Sequence, residues 1–215
     1  MAVRIALVDK HKVVREGVRR LLESEDGFKV VATAENGRIA LEQVEQYKPD
    51  VVVIEPNLPA MNGVDAARNI VHDFPDTQVL ALSMNKETGW VNAMLEAGGR
   101  GYLHKSCDSG ELISAVRTVA AGRPYLTPNV VGAFIRDHLD GVSVGYAPAF
   151  AGLKEREREV LQLLADGYSS KEAATEIGIS VNTVHTHRQR MMEKLELENF
   201  AEVVKYAIRE GLTDL

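Results

Sequence analysis

The sequence is poor in the residues that mark secreted, membrane-spanning or cross-linked proteins. Cys107 is the only cysteine among 215 residues, which excludes an internal disulfide framework. No apolar run reaches the roughly 18 residues that a membrane-spanning helix needs, and the N-terminal segment MAVRIALVDK lacks the pattern of a signal peptide. Hydrophobic residues account for 45% and charged residues for 26%, as in ordinary globular proteins. We therefore expect one or two globular domains in the cytoplasm, with no membrane partner.

A general excess of positive charge is also missing. The net charge is −6, from 25 Lys and Arg against 31 Asp and Glu, and residues 153–215 alone carry nine Lys and Arg against twelve Asp and Glu. Basic residues are instead concentrated in residues 181–194, where Arg188, Arg190 and Lys194 accompany a single acid, Glu193. A nucleic-acid-binding surface would therefore be local. We expect modest affinity per subunit and a need for dimerisation.

The first 122 residues alternate between apolar runs and helical periods. Short apolar runs predict strands at residues 4–8, 28–32, 51–54, 78–82 and 101–103, and each run is followed by a helical pattern. Five such alternations predict an α/β domain built on a doubly wound, parallel, five-stranded sheet. The functional site of such a sheet lies at the carboxyl ends of its strands. The residues at those ends are Asp9, Lys10, Glu55, Ser83 and Lys105.

Residues 123–152 separate this domain from the C-terminal part of the chain. Residues 128–139 can form a linker helix with an apolar stripe. Residues 140–152, DGVSVGYAPAFAG, contain three glycines and one proline and have no helical period, so we expect a flexible tether. The sequence therefore does not determine the orientation of the two domains.

Residues 153–215 predict an all-α domain of four helices. The first, at about residues 155–165, has an apolar stripe and ends at Gly167, which can adopt a left-handed C-cap. The second begins with a capping box formed by Ser169 and Glu172, and Ser180 can cap the third. A fourth helix is predicted for residues 199–211. The second and third helices form a helix-turn-helix, whose last helix fits the DNA major groove.

The segment EREREVLQLLADGYSSKEAATEIGISVNTVHTHRQRMMEKL resembles the LuxR-type DNA-binding domain, and the match covers nearly all of residues 153–212. The resemblance implies binding to double-stranded DNA, with His185, Thr186 and Gln189 at base-reading positions. It also implies a set of residues near phosphates or in support of the helix, namely Lys171, Thr183, His187, Arg188 and Arg190. By the same resemblance the last helix contributes to a homodimer, which would recognise an inverted repeat.

Two positions depart from the LuxR-type pattern. Family members often have lysine at the positions of His185 and Gln189, so we expect a different base preference and weaker attraction to phosphate. Lys154 stands where a Ser or Thr usually caps the first helix, and loss of that side-chain cap costs about 1 kcal/mol.

The N-terminal segments LVDKH, DVVVIEPNLPAMNG, LALSM and GYLHK resemble the response-regulator receiver domain, which has a flavodoxin-like fold. The whole chain resembles NarL/FixJ-type regulators. Asp9, Ser83 and Lys105 fit the receiver pattern, and Tyr102 is at the position of the family's switch aromatic. The resemblance implies an aspartate phosphoacceptor at the position of Glu55 and a second acidic residue at the position of Lys10.

These two replacements predict an atypical receiver. An ammonium group in place of a carboxylate removes an oxygen ligand and adds a repelling charge, so we expect no cofactor and weak or absent magnesium binding. The extra methylene of Glu55 misplaces an attacking oxygen, and Pro56 lacks a backbone N–H that could hold a phosphoryl group. We therefore expect the protein to work without phosphorylation of an aspartate.

Alternatives remain at this point. Glu55 either imitates a phosphorylated aspartate, with Lys10 and Lys105 as countercharges and Ser83 as donor, or belongs to a relic pocket whose charges neutralise each other. The receiver could instead be controlled by a protein or a small ligand, or the protein could be a conventional phosphorylated regulator. A phosphohydrolase is the alternative of another class. It is disfavoured because Lys10, and no second carboxylate, follows Asp9.

Overall fold

The computed structural model describes residues 2–85, 88–127, 130–132, 152–210 and 212–213. Residues 2–127 form a parallel sheet with helices on both faces, called the sheet domain below. Residues 152–213 form a cluster of helices, called the helical domain. The helix predicted for residues 128–139 is described only at residues 130–132, which are helical, and the predicted tether lies almost wholly outside the described residues.

The sheet contains six parallel strands in the order β2-β1-β3-β4-β5-β6. They are β1 (Val3–Val8), β2 (Phe28–Ala34), β3 (Val51–Ile54), β4 (Gln78–Ser83), β5 (Gly101–His104) and β6 (Tyr125–Leu126). The prediction of five strands missed β6, which pairs with β5 through only two residues. Two residues are too few to show the alternation of apolar and polar side chains that identifies a strand in a sequence.

Five helices cover the two faces of this sheet, and they lie close to the predicted positions. They are α1 (Lys12–Glu23), α2 (Gly37–Tyr47), α3 (Gly63–Asp73), α4 (Thr88–Glu96) and α5 (Ser109–Ala120). Side-chain caps begin three of them, because Asn36, Asn62 and Asp108 each accept a hydrogen bond from the backbone N–H three residues later. Helix α3 thus begins directly after the loop that follows β3.

The central strand β3 is buried along its whole length, as expected of a parallel strand covered on both faces. Its side chains alternate between two apolar clusters. Val52 and Ile54 lie in the cluster under α2, α3 and α4, whereas Val51 and Val53 lie in the cluster under α1 and α5. This packing fixes the carboxyl end of β3, where Glu55 follows.

The helical domain contains four helices within its described residues: α6 (Glu155–Ala165), α7 (Ser170–Ile177), α8 (Val181–Lys194) and α9 (Phe200–Arg209). The predicted capping box is present, since Ser169 Oγ accepts from the Glu172 N–H and Glu172 accepts from the Ser169 N–H. Ser180 caps α8, and Gly167 has a φ of 90°. Helices α7 and α8 are joined by the short turn expected of a helix-turn-helix.

The two domains pack against each other. Leu161, Met191 and Tyr206 of the helical domain belong to the same apolar cluster as Leu58 and Met61 of the loop after β3. Ala60 from that loop joins the core of the helical domain, which consists of Val160, Leu163, Leu164, Ala173, Ala174, Ile177 and Val184. The described chain therefore adopts a closed arrangement. Within the described ranges, no helix combines the length and apolar character needed to cross a membrane.

Candidate functional site

The strand ends bring three charged side chains together in a buried pocket. Lys105 Nζ lies 2.5 Å from Asp9 Oδ2 and 2.7 Å from Glu55 Oε2. Ser83 Oγ donates a 2.8 Å hydrogen bond to Glu55 Oε1. Asp9 and Glu55 are each only 5% exposed. Four of the five residues predicted at this edge of the sheet are thus in direct contact, and both oxygens of Glu55 are engaged.

The ammonium group of Lys105 holds two carboxylates in this pocket. Burial alone would lower the pKa of Lys105, but the nearby carboxylates of Glu55 and Asp9 outweigh it and raise that pKa above its usual value. Lys105 therefore stays protonated at neutral pH. A single ammonium group bridges two buried acids, and this arrangement partly offsets the cost of burying them.

A chain of hydrogen bonds leads from Glu55 to the aromatic side chain on β5. Ser83 Oγ, which donates to Glu55, also accepts from the Asn85 N–H at 3.1 Å. The Tyr102 hydroxyl donates to the Asn85 carbonyl oxygen at 2.8 Å. Tyr102 is 1% exposed, so it is fully buried and not half-buried at the surface. The position of Tyr102 is thus connected to the carboxylate of Glu55 through the loop after β4.

Lys10 lies at the boundary of the two domains. It lines a cleft together with Asp166 of the helical domain, and its positive charge acts to lower the pKa of that carboxyl. Burial is the larger effect, and the pKa of Asp166 is raised overall. The idea that Lys10 serves as a countercharge for Glu55 stays a prediction.

The domain interface contains a buried ion pair that the sequence analysis did not identify. Arg158 of α6 donates from Nε to Asp65 Oδ2 at 2.9 Å and from Nη2 to Asp65 Oδ1 at 2.5 Å. Asn62 and Arg68 also donate to Asp65, and Arg158 Nη1 donates to the Leu153 carbonyl oxygen. Both ends of the Asp65–Arg158 pair are therefore embedded in further hydrogen bonds, which is the condition under which a buried charge is tolerated.

Other polar contacts cross the same interface. The Ala60 N–H donates to Asp166 Oδ2 at 3.3 Å, and Asn69 Nδ2 donates to Glu155 at 3.2 Å. Arg38 Nη2 lies 3.8 Å from Glu159. The segment EREREV resembles a solvated helix face, which concealed this role. The available signal was the width of the apolar stripe of α6, since its adjacent residues Val160 and Leu161 are both fully buried.

The outer face of α8 is accessible in the closed arrangement. Its exposed side chains include His185, Thr186 and Gln189, which were predicted to read bases, together with Asn182 and Arg190. Of the residues predicted near phosphates, Lys171 is exposed, and Thr183, His187 and Arg188 are partly exposed. Val184 and Met191 are buried, as predicted for the inner face. The ion pairs and hydrogen bonds between the domains described above involve α6 and Asp166, so they leave this face open.

Intrahelical contacts hold two of the predicted base-reading side chains. Thr186 Oγ1 donates to the Asn182 carbonyl oxygen at 3.0 Å, and Gln189 Nε2 donates to Glu193 at 3.0 Å. Both contacts are exposed and can exchange for contacts with a base at little cost.

The ammonium group of Lys194 points back into the domain. Lys194 Nζ lies 2.6 Å from Glu157 Oε2 and 3.0 Å from the Gly152 carbonyl oxygen. The positive charge of α8 that remains for DNA therefore comes from Arg188 and Arg190, less than the composition suggested. Glu157 also accepts from the Lys154 N–H at 2.8 Å. The side chain of Lys154 makes no cap, as predicted, but Glu157 supplies the reverse half of a capping box.

Comparisons with known proteins agree with this geometry. Residues 5–117 match the response regulator receiver domain, and residues 151–207 match the luxR family of bacterial regulatory proteins. The chain is 36% identical to the transcriptional regulatory protein DegU of Brevibacillus brevis, over 97% of this chain and 94% of DegU. It is 35% identical to the oxygen regulatory protein NreC of Staphylococcus carnosus, over 99% of this chain and 100% of NreC.

A solved structure shows the same two-domain fold. The response regulator RcsB of Salmonella typhimurium superposes with a TM-score of 0.60 at 22% identity, covering 97% of this chain and 99% of RcsB. The relatives found by sequence are regulators of transcription, not enzymes. The chain therefore belongs to the response regulators that join a receiver domain to a LuxR-family helix-turn-helix, and it is a DNA-binding regulator of transcription.

Proposed function

We propose that this regulator binds DNA without phosphorylation of its receiver, because Glu55 supplies a permanent anion in place of a phosphorylated aspartate. One observation carries the proposal: both oxygens of the Glu55 carboxylate already have partners. Lys105 binds Oε2 and Ser83 donates to Oε1. These are the cation and the hydroxyl that, by the family pattern, accompany the acceptor aspartate.

The surroundings of Glu55 also disfavour phosphoryl transfer. Its side chain is buried, so a phosphodonor has little access to either oxygen. Oε1 accepts a second hydrogen bond, from the Asn57 N–H at 3.2 Å, which holds the carboxylate in place. Pro56 has no N–H to offer a phosphoryl group. In-line transfer needs a nucleophile within about 3–3.5 Å of phosphorus, and an acid bound on both sides is poorly placed for this.

The hydrogen-bond chain to Tyr102 favours the mimic over a relic pocket. Neutralisation of Asp9 and Glu55 requires only the ammonium group of Lys105. It does not require Ser83 to connect Glu55 with Asn85, nor Asn85 to accept from the Tyr102 hydroxyl. A carboxylate that positions the loop after β4 does what the family's phosphoryl group is expected to do.

Magnesium fits this pocket poorly. The ion needs several oxygen ligands in near-octahedral geometry, and Asp9 and Glu55 both bind Lys105. Lys10 adds a second positive charge beside Asp9. A divalent cation would have to displace one ammonium group and approach another. We therefore propose that the receiver works without a metal or cofactor.

The DNA target is proposed to be an inverted repeat bound by a homodimer in the cytoplasm. RcsB, which has the same fold, has been observed as dimers bound to DNA. Only two arginines of α8 remain for phosphate contacts in each subunit, so two subunits are needed for useful affinity. The proposed contacts are base edges for His185, Thr186 and Gln189, with the phosphates on either side.

Footprinting on sheared genomic fragments tests the proposal. The unmodified protein is compared with protein treated with acetyl phosphate and magnesium. A Glu55→Asp/Lys10→Asp variant serves as the control, because it restores both acids of the family pattern. We expect a protected palindromic site that is indifferent to acetyl phosphate in the unmodified protein, and a response in the variant. Protection that appears only after acetyl phosphate would show that another residue accepts phosphate.

A further inference from the structure

A polar cleft lies where the two domains meet, beside the acceptor pocket and separate from it. Its volume is about 340 Å³, which falls within the roughly 300–1,000 Å³ of small-molecule sites. The sheet domain and the helical domain each contribute four of its lining residues: Lys10, His11, Asn57 and Pro59 from the first, and Gln162, Asp166, Leu212 and Thr213 from the second. A molecule bound there touches both domains.

The cleft carries charges of both signs. Lys10 and His11 form its basic side, and His11 is more than half exposed. Asp166 forms its acidic side, with one oxygen bonded to the Ala60 N–H and the other to Gln162 Nε2 at 3.1 Å. Burial raises the pKa of Asp166 because these two neutral donors and the charge of Lys10 do not fully replace water. A further cation beside Asp166 would stabilise its ionised form.

Gln162 adds an unsatisfied acceptor on the acidic side. Its side chain is 1% exposed, and Nε2 donates both to Asp166 and to the Leu212 carbonyl oxygen. Its Oε1 has no hydrogen-bond partner among the described residues, although buried polar atoms are nearly always paired. An ammonium group placed at Asp166 has donors for both residues, once the Gln162 amide adjusts to it.

We propose that this cleft binds a small zwitterion of the α-amino-acid class. The carboxylate of such a molecule is complementary to Lys10 and His11, and its ammonium group is complementary to Asp166 and Gln162. Pro59 and Leu212 offer apolar surface for a side chain. An anion alone would leave Asp166 and the Gln162 oxygen without a donor, and a cation alone would face Lys10.

Binding in the cleft would strengthen the closed arrangement. The ligand's two charged groups reach residues of different domains, so only the docked form provides the complete site. A ligand that binds one form shifts the equilibrium toward that form. The acceptor pocket is coupled to the site, because the Glu55 carboxylate holds the Asn57 N–H in the cleft wall. The replacement of a receiver acid by Lys10 thus acquires a role in ligand recognition.

Thermal unfolding of the full chain tests the proposal, with each common L-amino acid added singly at about 10 mM. We expect at least one to raise the unfolding midpoint by about 2 °C or more. Its N-acetyl and amide derivatives, which lack the ammonium and the carboxylate charge respectively, should lose the shift. The assay contains neither DNA nor phosphodonor, so its outcome is independent of the proposed function.

Three variants locate the site. Asp166→Asn and Lys10→Ala should each lose the ligand-induced shift relative to their own unliganded midpoints. Lys12→Ala should keep it, since Lys12 is a highly exposed lysine outside the cleft. The proposal is overturned if no amino acid shifts the midpoint, if the blocked derivatives act equally well, or if the two cleft variants respond like the wild type.

Discussion

Arg158 and Asp65 form a two-pronged ion pair across the domain boundary, with N–O distances of 2.9 and 2.5 Å. Asp65 lies in the first turn of α3, and Arg158 lies in α6, which supports the helix-turn-helix from behind. The pair therefore ties the segment after Glu55 to the DNA-binding domain. Because α8 presents its outer face to solvent, this contact sets the orientation of the domain and leaves the reading face uncovered.

Arg158→Ala is expected to loosen the two domains. The change leaves the Asp65 carboxylate buried with Arg68 as its remaining cation, and loss of one partner of a buried pair costs about 3–5 kcal/mol. Urea unfolding should show the loss of stability, and small-angle X-ray scattering should show a larger radius of gyration. Arg19→Ala is the control, since Arg19 pairs with Glu23 at the surface and should cost less than about 1 kcal/mol. Equal effects of the two variants would contradict the assigned role.

Local features of this chain could be predicted from its sequence. The caps formed by Ser169, Glu172 and Ser180 involve residues within three positions of each other, so the sequence contains all of their determinants. The meeting of Glu55, Ser83 and Lys105 was predictable for another reason. Parallel strands end at one edge of the sheet, and a strand pattern therefore places distant residues together.

The domain interface could not be predicted in the same way. Asp65 and Arg158 are 93 positions apart, and no periodicity links them. Charged residues such as Glu157 and Glu159 usually lie in solvent, yet both are buried here. The interface depends on how two finished domains pack, which is determined by their three-dimensional surfaces. The sixth strand was missed for a simpler reason, its length of two residues.

Substitutions on the outer face of α8 should separate base reading from phosphate attraction. His185→Ala or Gln189→Ala is expected to reduce discrimination between the target and altered sites by about 1–3 kcal/mol. Arg190→Ala should instead weaken binding to all sequences and lower the salt dependence by about one unit of slope. Fluorescence anisotropy at several salt concentrations measures both quantities.

Lys205→Ala is the control for these α8 variants. Lys205 is an exposed lysine of α9, away from the reading face, so its loss should leave discrimination unchanged. Retention of full discrimination by both the His185 and the Gln189 variants would contradict the assignment of α8 as the reading helix.

Glu157→Gln should reduce stability and remove a dependence on acid pH. Burial tends to raise the pKa of Glu157, but the Lys194 ammonium and the Lys154 N–H lower it below 4.5. The ionised pair therefore contributes stability above pH 4.5, and this contribution is lost as pH falls through the lower folded-state pKa. The loss at pH 7 should be about 1–3 kcal/mol, measured by unfolding between pH 7 and 3. An equally large effect of Glu176→Gln, an exposed glutamate of α7, would refute this role.

Asp166→Asn is expected to have the opposite effect in the absence of ligand. The pKa of Asp166 is raised above 3.8, chiefly by burial, so the folded state favours the protonated carboxyl. Its contribution is most favourable below pH 3.8 and is lost as pH rises through the folded-state pKa. The neutral amide still accepts from the Ala60 N–H, so the variant should melt at a higher temperature at pH 7. The difference should shrink toward pH 3. Asp26→Asn, at an exposed site, should show no such trend.

The affinity of Glu55→Gln for the footprinted site is the most direct test of the central claim. The amide keeps the size of the side chain and an oxygen that can accept from Ser83, but it removes the charge that binds Lys105. Glu45→Gln, at an exposed position of α2, is the matched control. If the Glu55 carboxylate replaces a phosphoryl group, Glu55→Gln should bind DNA at least about tenfold more weakly, a change of about 1.4 kcal/mol, and should dimerise less. Affinity and dimerisation equal to those of the wild type would contradict the account.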